Sequence, residues 1–132
     1  MEPTKNAYPE PRSRTLAAIL DDLRKPVQPR HVKTKKQGGA TISYVPHYVI
    51  RDYLDLYAPG WEWDFEMTVG HERLFCVGRL TVHGSDGSVT RAASGTEELS
   101  KSGYGDPSSN SESMCLRRAA MALGFCRDLW RK

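Results

Sequence analysis

Strict alternation marks the middle of the chain. In WEWDFEMTV, Trp61, Trp63, Phe65, Met67 and Val69 take one side and Glu62, Asp64, Glu66 and Thr68 the other. That period of two is the signature of a half-buried strand. RLFCVGRLTVH, from Arg73 to His83, predicts a second strand and VTRAAS, from Val89 to Ser94, a third. Between them GSDGS carries the Asp86-Gly87 pair of a tight hairpin turn. Helical periods flank this meander. In SRTLAAILDDLRK, Leu16, Ile19, Leu20 and Leu23 share a face, with Ser13 as N-cap and Pro26 as stop. TISYV, from Thr41 to Val45, reads as a short strand. Pro46 then suits the first turn of a helix whose apolar side is Val49, Ile50, Tyr53, Leu54 and Tyr57, ended by Pro59 and Gly60. A last helix is predicted from about Glu112 to Trp130, with Leu116, Ala119, Ala120, Leu123 and Cys126 on one core-facing stripe.

The remaining stretches read as connections. Residues 1–12 are rich in proline and charge, a loose tail. Residues 26–40, PVQPRHVKTKKQGGA, carry Arg30, His31, Lys33, Lys35 and Lys36 and no acid; two prolines and a double glycine make them a connector rather than an element. Residues 97–111 are polar with glycine and proline, and loops this long in a small domain are either disordered or functional. No internal repeat is visible. The class is α+β: an antiparallel meander of three main strands plus a short N-terminal strand, packed with helices, in a single domain from residue 13 to 132.

Composition narrows the function classes. At 132 residues, with 27% charged and 39% hydrophobic positions, the chain suits one soluble domain with a modest core. It has no apolar run of about 18 residues, so no membrane partner is expected. The first residues lack the apolar core of a secretory signal. Cys76, Cys115 and Cys126 form neither a CxxC pair nor a zinc spacing with the histidines, and are expected as buried free thiols in a reducing compartment. The net charge of +3 permits an acidic partner without demanding one, so the distribution of charge matters more than its sum.

Catalytic signatures are missing: no GxGxxG, P-loop, HExxH or GxSxG occurs, and neither an enzyme nor a cofactor or metal is expected. Glu62, Asp64 and Glu66 share a strand face, but Arg73, Arg79 and Arg91 on the neighbouring strands are expected to satisfy them by cross-strand pairing, or a neighbouring subunit to do so. His31, His47, His71 and His83 have no partner at catalytic or ligand spacing.

The cationic groups fall in two places, the connector and the last helix. In MCLRRAAMALGF, Arg117 and Arg118 share a face with Met114, Met121 and Phe125, and neither has an acid at helix-neighbour spacing. An arginine fork matches phosphate oxygens and tolerates a partly apolar setting. A positive groove with nearby rings is what single-stranded nucleic acid requires. The competing reading pairs these arginines with acids elsewhere in the fold, such as Glu97 or Asp106.

Three phrases together suggest a family: QGGATISYVPHYVIRDYLDLYAPGW (Gln37 to Trp61), LFCVGRLTVHGSDGS (Leu74 to Ser88) and LRRAAMALG (Leu116 to Gly124), with LRKPVQPRHVKTKKQGG as the entry. In order and spacing they resemble the annealing domain of the Rad52-type single-strand annealing proteins, over roughly residues 16 to 126. The resemblance implies a β-β-β-α core assembling into a ring, with single-stranded DNA in an outer positive groove and complementary strands annealed without ATP in recombination and repair. It puts DNA contacts on Arg117 and Arg118, on Lys33, Lys35 and Lys36, near Tyr48 or Arg51, and on Lys101. Met121 stands where the family often has a further basic residue. The short stretch after Gly124 suggests a minimal bacterial or phage-encoded core, cytoplasmic and nucleoid-associated. The partners implied are single-stranded DNA, further copies of the chain, and a recombinase or single-strand-binding protein. Two alternatives stay open: a module that coats single strands without annealing them, and a protein-only scaffold in which the arginines pair with Glu62, Asp64 or Glu66 of a neighbour.

Overall fold

The computed structural model describes residues 10–99 and 106–126. The order of elements is α1 (Leu16–Leu23), β1 (Lys33–Gln37), β2 (Ala40–Tyr44), α2 (His47–Tyr57), β3 (Glu62–Gly70), β4 (Arg73–Gly84), β5 (Gly87–Glu98) and α3 (Pro107–Ala122), with one 3-10 turn at Pro29–His31. β3, β4 and β5 form an antiparallel sheet in that order, and β1 and β2 form a separate two-stranded hairpin. The α+β class and the β-β-β-α core expected from the sequence are both present.

Alternation decides which side of the sheet is covered. Leu74, Cys76, Leu80 and Val82 of β4 are buried, while Phe75 and Val77 face outward and stay exposed. On β3 the register sets Trp63 opposite Leu80 and Met67 opposite Cys76, on the covered side. Cover runs out along that strand, leaving Phe65 37% and Val69 64% exposed.

α3 lies across β4 and β5, and it lies close. A Cβ built on Gly95 would sit 2.2 Å from the Ser111 carbonyl oxygen and 2.9 Å from the Cys115 nitrogen, so the helix rests on strand backbone. The Cys115 thiol donates to the Ala93 carbonyl at 3.3 Å. Burial, with Cys76 alongside, pushes its pKa up to about 12. All three cysteines are buried and none is in a disulfide, as their spacing suggested. Leu116, Ala119 and Ala120 of α3, with Leu123 just past its end, join Ile19 and Leu23 of α1, Val49, Ile50 and Leu54 of α2, and Leu80 and Val82 of β4 in one core.

Several boundaries differ from the sequence expectation. The connector holds a strand: Lys33–Gln37 pairs with β2, Lys35 opposite Ile42. Gly38 and Gly39, at φ 60° and 82°, turn the chain back between them. A glycine pair accepts that left-handed turn at little steric cost, and a strand exposed from Lys33 to Lys36 shows no alternation to read. Among the described residues there are therefore two strands before α2 rather than one. α1 is capped by Thr15, whose hydroxyl accepts from the Ala18 N–H at 3.2 Å, while the Ser13 hydroxyl donates to the Glu10 carbonyl instead. The start of α1 is tied to the β4–β5 turn, since Asp86 Oδ1 accepts from Leu16 N–H at 2.9 Å and the Ser85 N–H donates to the Arg14 carbonyl at 2.7 Å. β5 runs on to Glu98, into the stretch expected as loop.

α3 is displaced relative to its predicted span. It begins at Pro107 because Asp106 caps it, accepting from the Ser109 N–H at 2.8 Å. It stops at Ala122 in a Schellman turn: Phe125 N–H reaches the Ala120 carbonyl and Gly124 N–H the Met121 carbonyl. Gly124 takes φ 105° at that turn. Phe125 is thereby folded back into the core, edge to face with Tyr53, and leaves the arginine face on which the helical wheel had put it. Among the described residues no helix is long and apolar enough to cross a membrane.

The approach at Gly95 is testable. Gly95→Val forces α3 off the strand, and overpacking of this kind costs about 1–3 kcal/mol or more. Urea unfolding is expected to show at least that loss; an unchanged midpoint would mean that α3 does not touch β5 there.

Candidate functional site

The β1–β2 hairpin and the carboxyl half of α3 enclose an open groove of about 380 Å³, lined among others by Lys35, Tyr44, Met114, Arg117, Arg118 and Met121. The helix period explains this set. Cys115, Leu116, Ala119 and Ala120 are buried toward sheet and core, so Arg117 and Arg118 leave by the side facing the hairpin, with Met114 and Met121 one turn before and after Arg117 or nearly so. The floor is apolar and the walls are cationic.

Arg117 is the unusual group. It is partly buried, and among the described residues no carboxylate lies within ion-pair distance of it or of Arg118. Burial lowers the pKa of its guanidinium; the Tyr44 phenol acts in the opposite direction and Arg118 adds to the lowering. Arg118 is exposed and donates from Nη1 to the Ser94 carbonyl on β5 at 3.0 Å. The acids considered as its partners have other work: Asp106 caps α3, and Glu97 accepts from Asn110 Nδ2 at 3.2 Å. Across the groove Lys35 Nζ stands 5.1 Å from the centre of the Tyr44 ring, a cation over an aromatic face.

The structure separates the other residues picked from the sequence. Lys33 and Lys36 are exposed on β1 but do not line the groove. Arg51 Nη2 donates to Glu112 Oε2 at 2.9 Å and its guanidinium lies 5.9 Å from the Trp61 ring centre, so it is held within the fold. The same carboxylate oxygen accepts from Trp63 Nε1 at 3.0 Å, and Glu112 thus joins α2, β3 and α3. Tyr48, 52% exposed in the first turn of α2, meets the His47 ring edge to face at 6.0 Å between centres and is the more accessible of that pair. Lys101 lies outside the described residues.

His47 was expected from the sequence only as a histidine without a partner at catalytic or ligand spacing. Its Nδ1 is buried with no hydrogen-bond partner among the described residues. Burial lowers its pKa first; Arg51 and then Arg117 also lower it, against the opposing pull of Glu112. A lone histidine in PHYV carries no signal of such surroundings. The acidic face of β3 also departs from expectation. His83 bridges Glu62 and Ser88, 2.6 Å from the Ser88 hydroxyl, while Arg73 pairs with Glu98 at 3.4 Å and Arg91 donates to the Thr90 carbonyl. Asp64 stands opposite Arg79 in the register, yet among the described residues neither Asp64 nor Glu66 has a cation within ion-pair distance.

No family model matches the chain. Two curated relatives from Arabidopsis thaliana do. The DNA repair RAD52-like protein 1, mitochondrial, is 29% identical over 121 residues, covering 89% of this chain and 69% of the relative. The DNA repair RAD52-like protein 2, chloroplastic, is 32% identical over 118 residues, covering 86% of this chain and 59% of the relative. The chain thus spans between about three-fifths and two-thirds of their length. Relatives named for plant organelles overturn the expectation of a bacterial or phage-encoded cytoplasmic, nucleoid-associated protein. That expectation rested on the short stretch after Gly124, which carries no information about compartment.

A partly buried guanidinium without a counter-ion is a liability for the fold, as functional groups often are. Arg117→Met is therefore expected to leave the domain folded and to raise its stability by about 0.5–1 kcal/mol. A thermal or urea melt checks this, and a clear loss of stability would give Arg117 a structural role instead.

Proposed function

The chain belongs to the Rad52-type family, and on that premise we propose that it acts in DNA repair or recombination by binding single-stranded DNA and annealing complementary strands as an oligomer. The observation that carries this reading is Arg117: a partly buried cation without an acid partner among the described residues, set beside Arg118 and Lys35 over an apolar floor. Residues 13–132 would act as one annealing domain.

The mechanism is passive and uses no nucleotide cofactor. Phosphates lie against Arg117, Arg118 and Lys35, whose charges replace the counterions the strand gives up. Arginine forks hold phosphate oxygens by paired, charge-assisted hydrogen bonds. Tyr44, Met114 and Met121 supply adaptable apolar contact to the sugar edge. A strand held by its backbone keeps its base edges toward solvent, where a complementary strand pairs with them. Tyr48, at the start of α2, extends the track beyond the groove. Several copies side by side multiply a few weak contacts into tight binding.

The first test is annealing of two complementary labelled oligonucleotides, without nucleotide cofactor, by the wild type and by Arg117→Ala/Arg118→Ala. The wild type is expected to accelerate annealing strongly. The double variant is expected to lose at least about tenfold in single-strand affinity, the scale set by charge-assisted hydrogen bonds. Its salt dependence should flatten by about 0.7 in log–log slope per lost contact. Tight binding without acceleration would support a coating module instead. Normal binding by the double variant would remove the groove from the mechanism.

A further inference from the structure

Of the sheet edges left open among the described residues, two carry opposite charges. β3 is an outer strand of the three-stranded sheet and β1 pairs only with β2 among the described residues. The outward face of β3 presents Glu62, Asp64 and Glu66, all exposed, and Asp64 and Glu66 lack ion-pair partners among the described residues. Along β1, Lys33, Lys35 and Lys36 are all exposed. We propose that β3 of one copy docks on the β1 hairpin of the next, acidic edge against basic edge, in head-to-tail order. This rests on the reading that the protein works as an assembly, and it names the surfaces that would build it.

Charges on an edge strand ordinarily serve to prevent edge pairing. On β3 they come with Phe65 and Val69 exposed on the covered side of the sheet, apolar surface that a merely protected edge does not need. Like signs forbid β3 from meeting β3 and β1 from meeting β1, which removes the simplest two-fold dimers. Opposite signs admit the unlike pairing, and an interface between two different patches generates a ring or an open filament. The nine residues of β3 more than cover the five of β1. The arrangement also gives work to Lys33 and Lys36, which lie outside the groove. Because Lys35 belongs both to β1 and to the groove wall, the neighbour's β3 would lie alongside that wall and bring successive grooves into line.

A charge swap in the full chain, without DNA, tests the pairing. One variant carries Asp64→Lys/Glu66→Lys and the other Lys33→Glu/Lys36→Glu; Lys35, Arg117 and Arg118 are untouched. Mass is read by light scattering after gel filtration at about 0.1 M salt, where charges within about 10 Å still interact. Each variant alone is expected to fall to monomer mass with its circular dichroism unchanged, and an equal mixture is expected to recover the assembly, because every junction again joins opposite signs. The milder Asp64→Asn/Glu66→Gln, which asks less of the fold, should dissociate at lower salt than the wild type. Wild-type mass in both swapped variants, or no recovery on mixing, overturns the pairing while leaving the assembly intact. A monomeric wild type that still anneals DNA overturns both the pairing and the assembly but not the groove.

Discussion

The distance between α3 and β5 governs the rest of the molecule. At Gly95 the helix backbone comes so close to the strand that no side chain fits between them. Once Cys115 and Leu116 are fixed against sheet and core, the next two residues have no choice but to emerge beside the hairpin, because each step turns the helix by about 100°. The groove is therefore a consequence of strand-to-helix packing. Arg118 confirms the economy of the arrangement: it bonds to the Ser94 carbonyl, the residue before that glycine.

Much of this was legible in the sequence, for identifiable reasons. The meander showed because β4 is buried on one side only, so Leu74, Cys76, Leu80 and Val82 alternate with polar or exposed positions. The stripe from Leu116 to Cys126 was right in every member, although the last of them is reached through a turn rather than along a helix. What failed to show were features without a period. β1 is exposed at every position from Lys33 to Lys36 and so shows no alternation, and its lysines read as a connector. The end of α3 depends on a single glycine conformation, and Phe125 moved from groove to core with it. The tie between Arg51 and Glu112 spans 61 positions, beyond any local pattern.

The charges are distributed with a logic that net charge hides. Where the fold can neutralise a group it does so locally: Asp22 is held below the usual carboxylate range by Lys25 and Arg14, against the opposing effect of its own burial. Glu112 is shared by an arginine and a tryptophan. The groups left without counter-ions among the described residues, such as Arg117, Asp64 and Glu66, lie instead along the groove and on one strand. Charges that could have been paired cheaply and were not are the better guide to where other molecules meet this one.

The tie between α1 and the β4–β5 turn bears on the order in which the chain can fold. Asp86 receives the Leu16 N–H across 70 positions of sequence, whereas the hairpin that presents Asp86 needs only its two adjoining strands. Local contacts close first because short loops lose less entropy. This particular tie can close only once the hairpin has formed, so the start of the first helix to be made is fixed in place only after a turn made some 70 positions later.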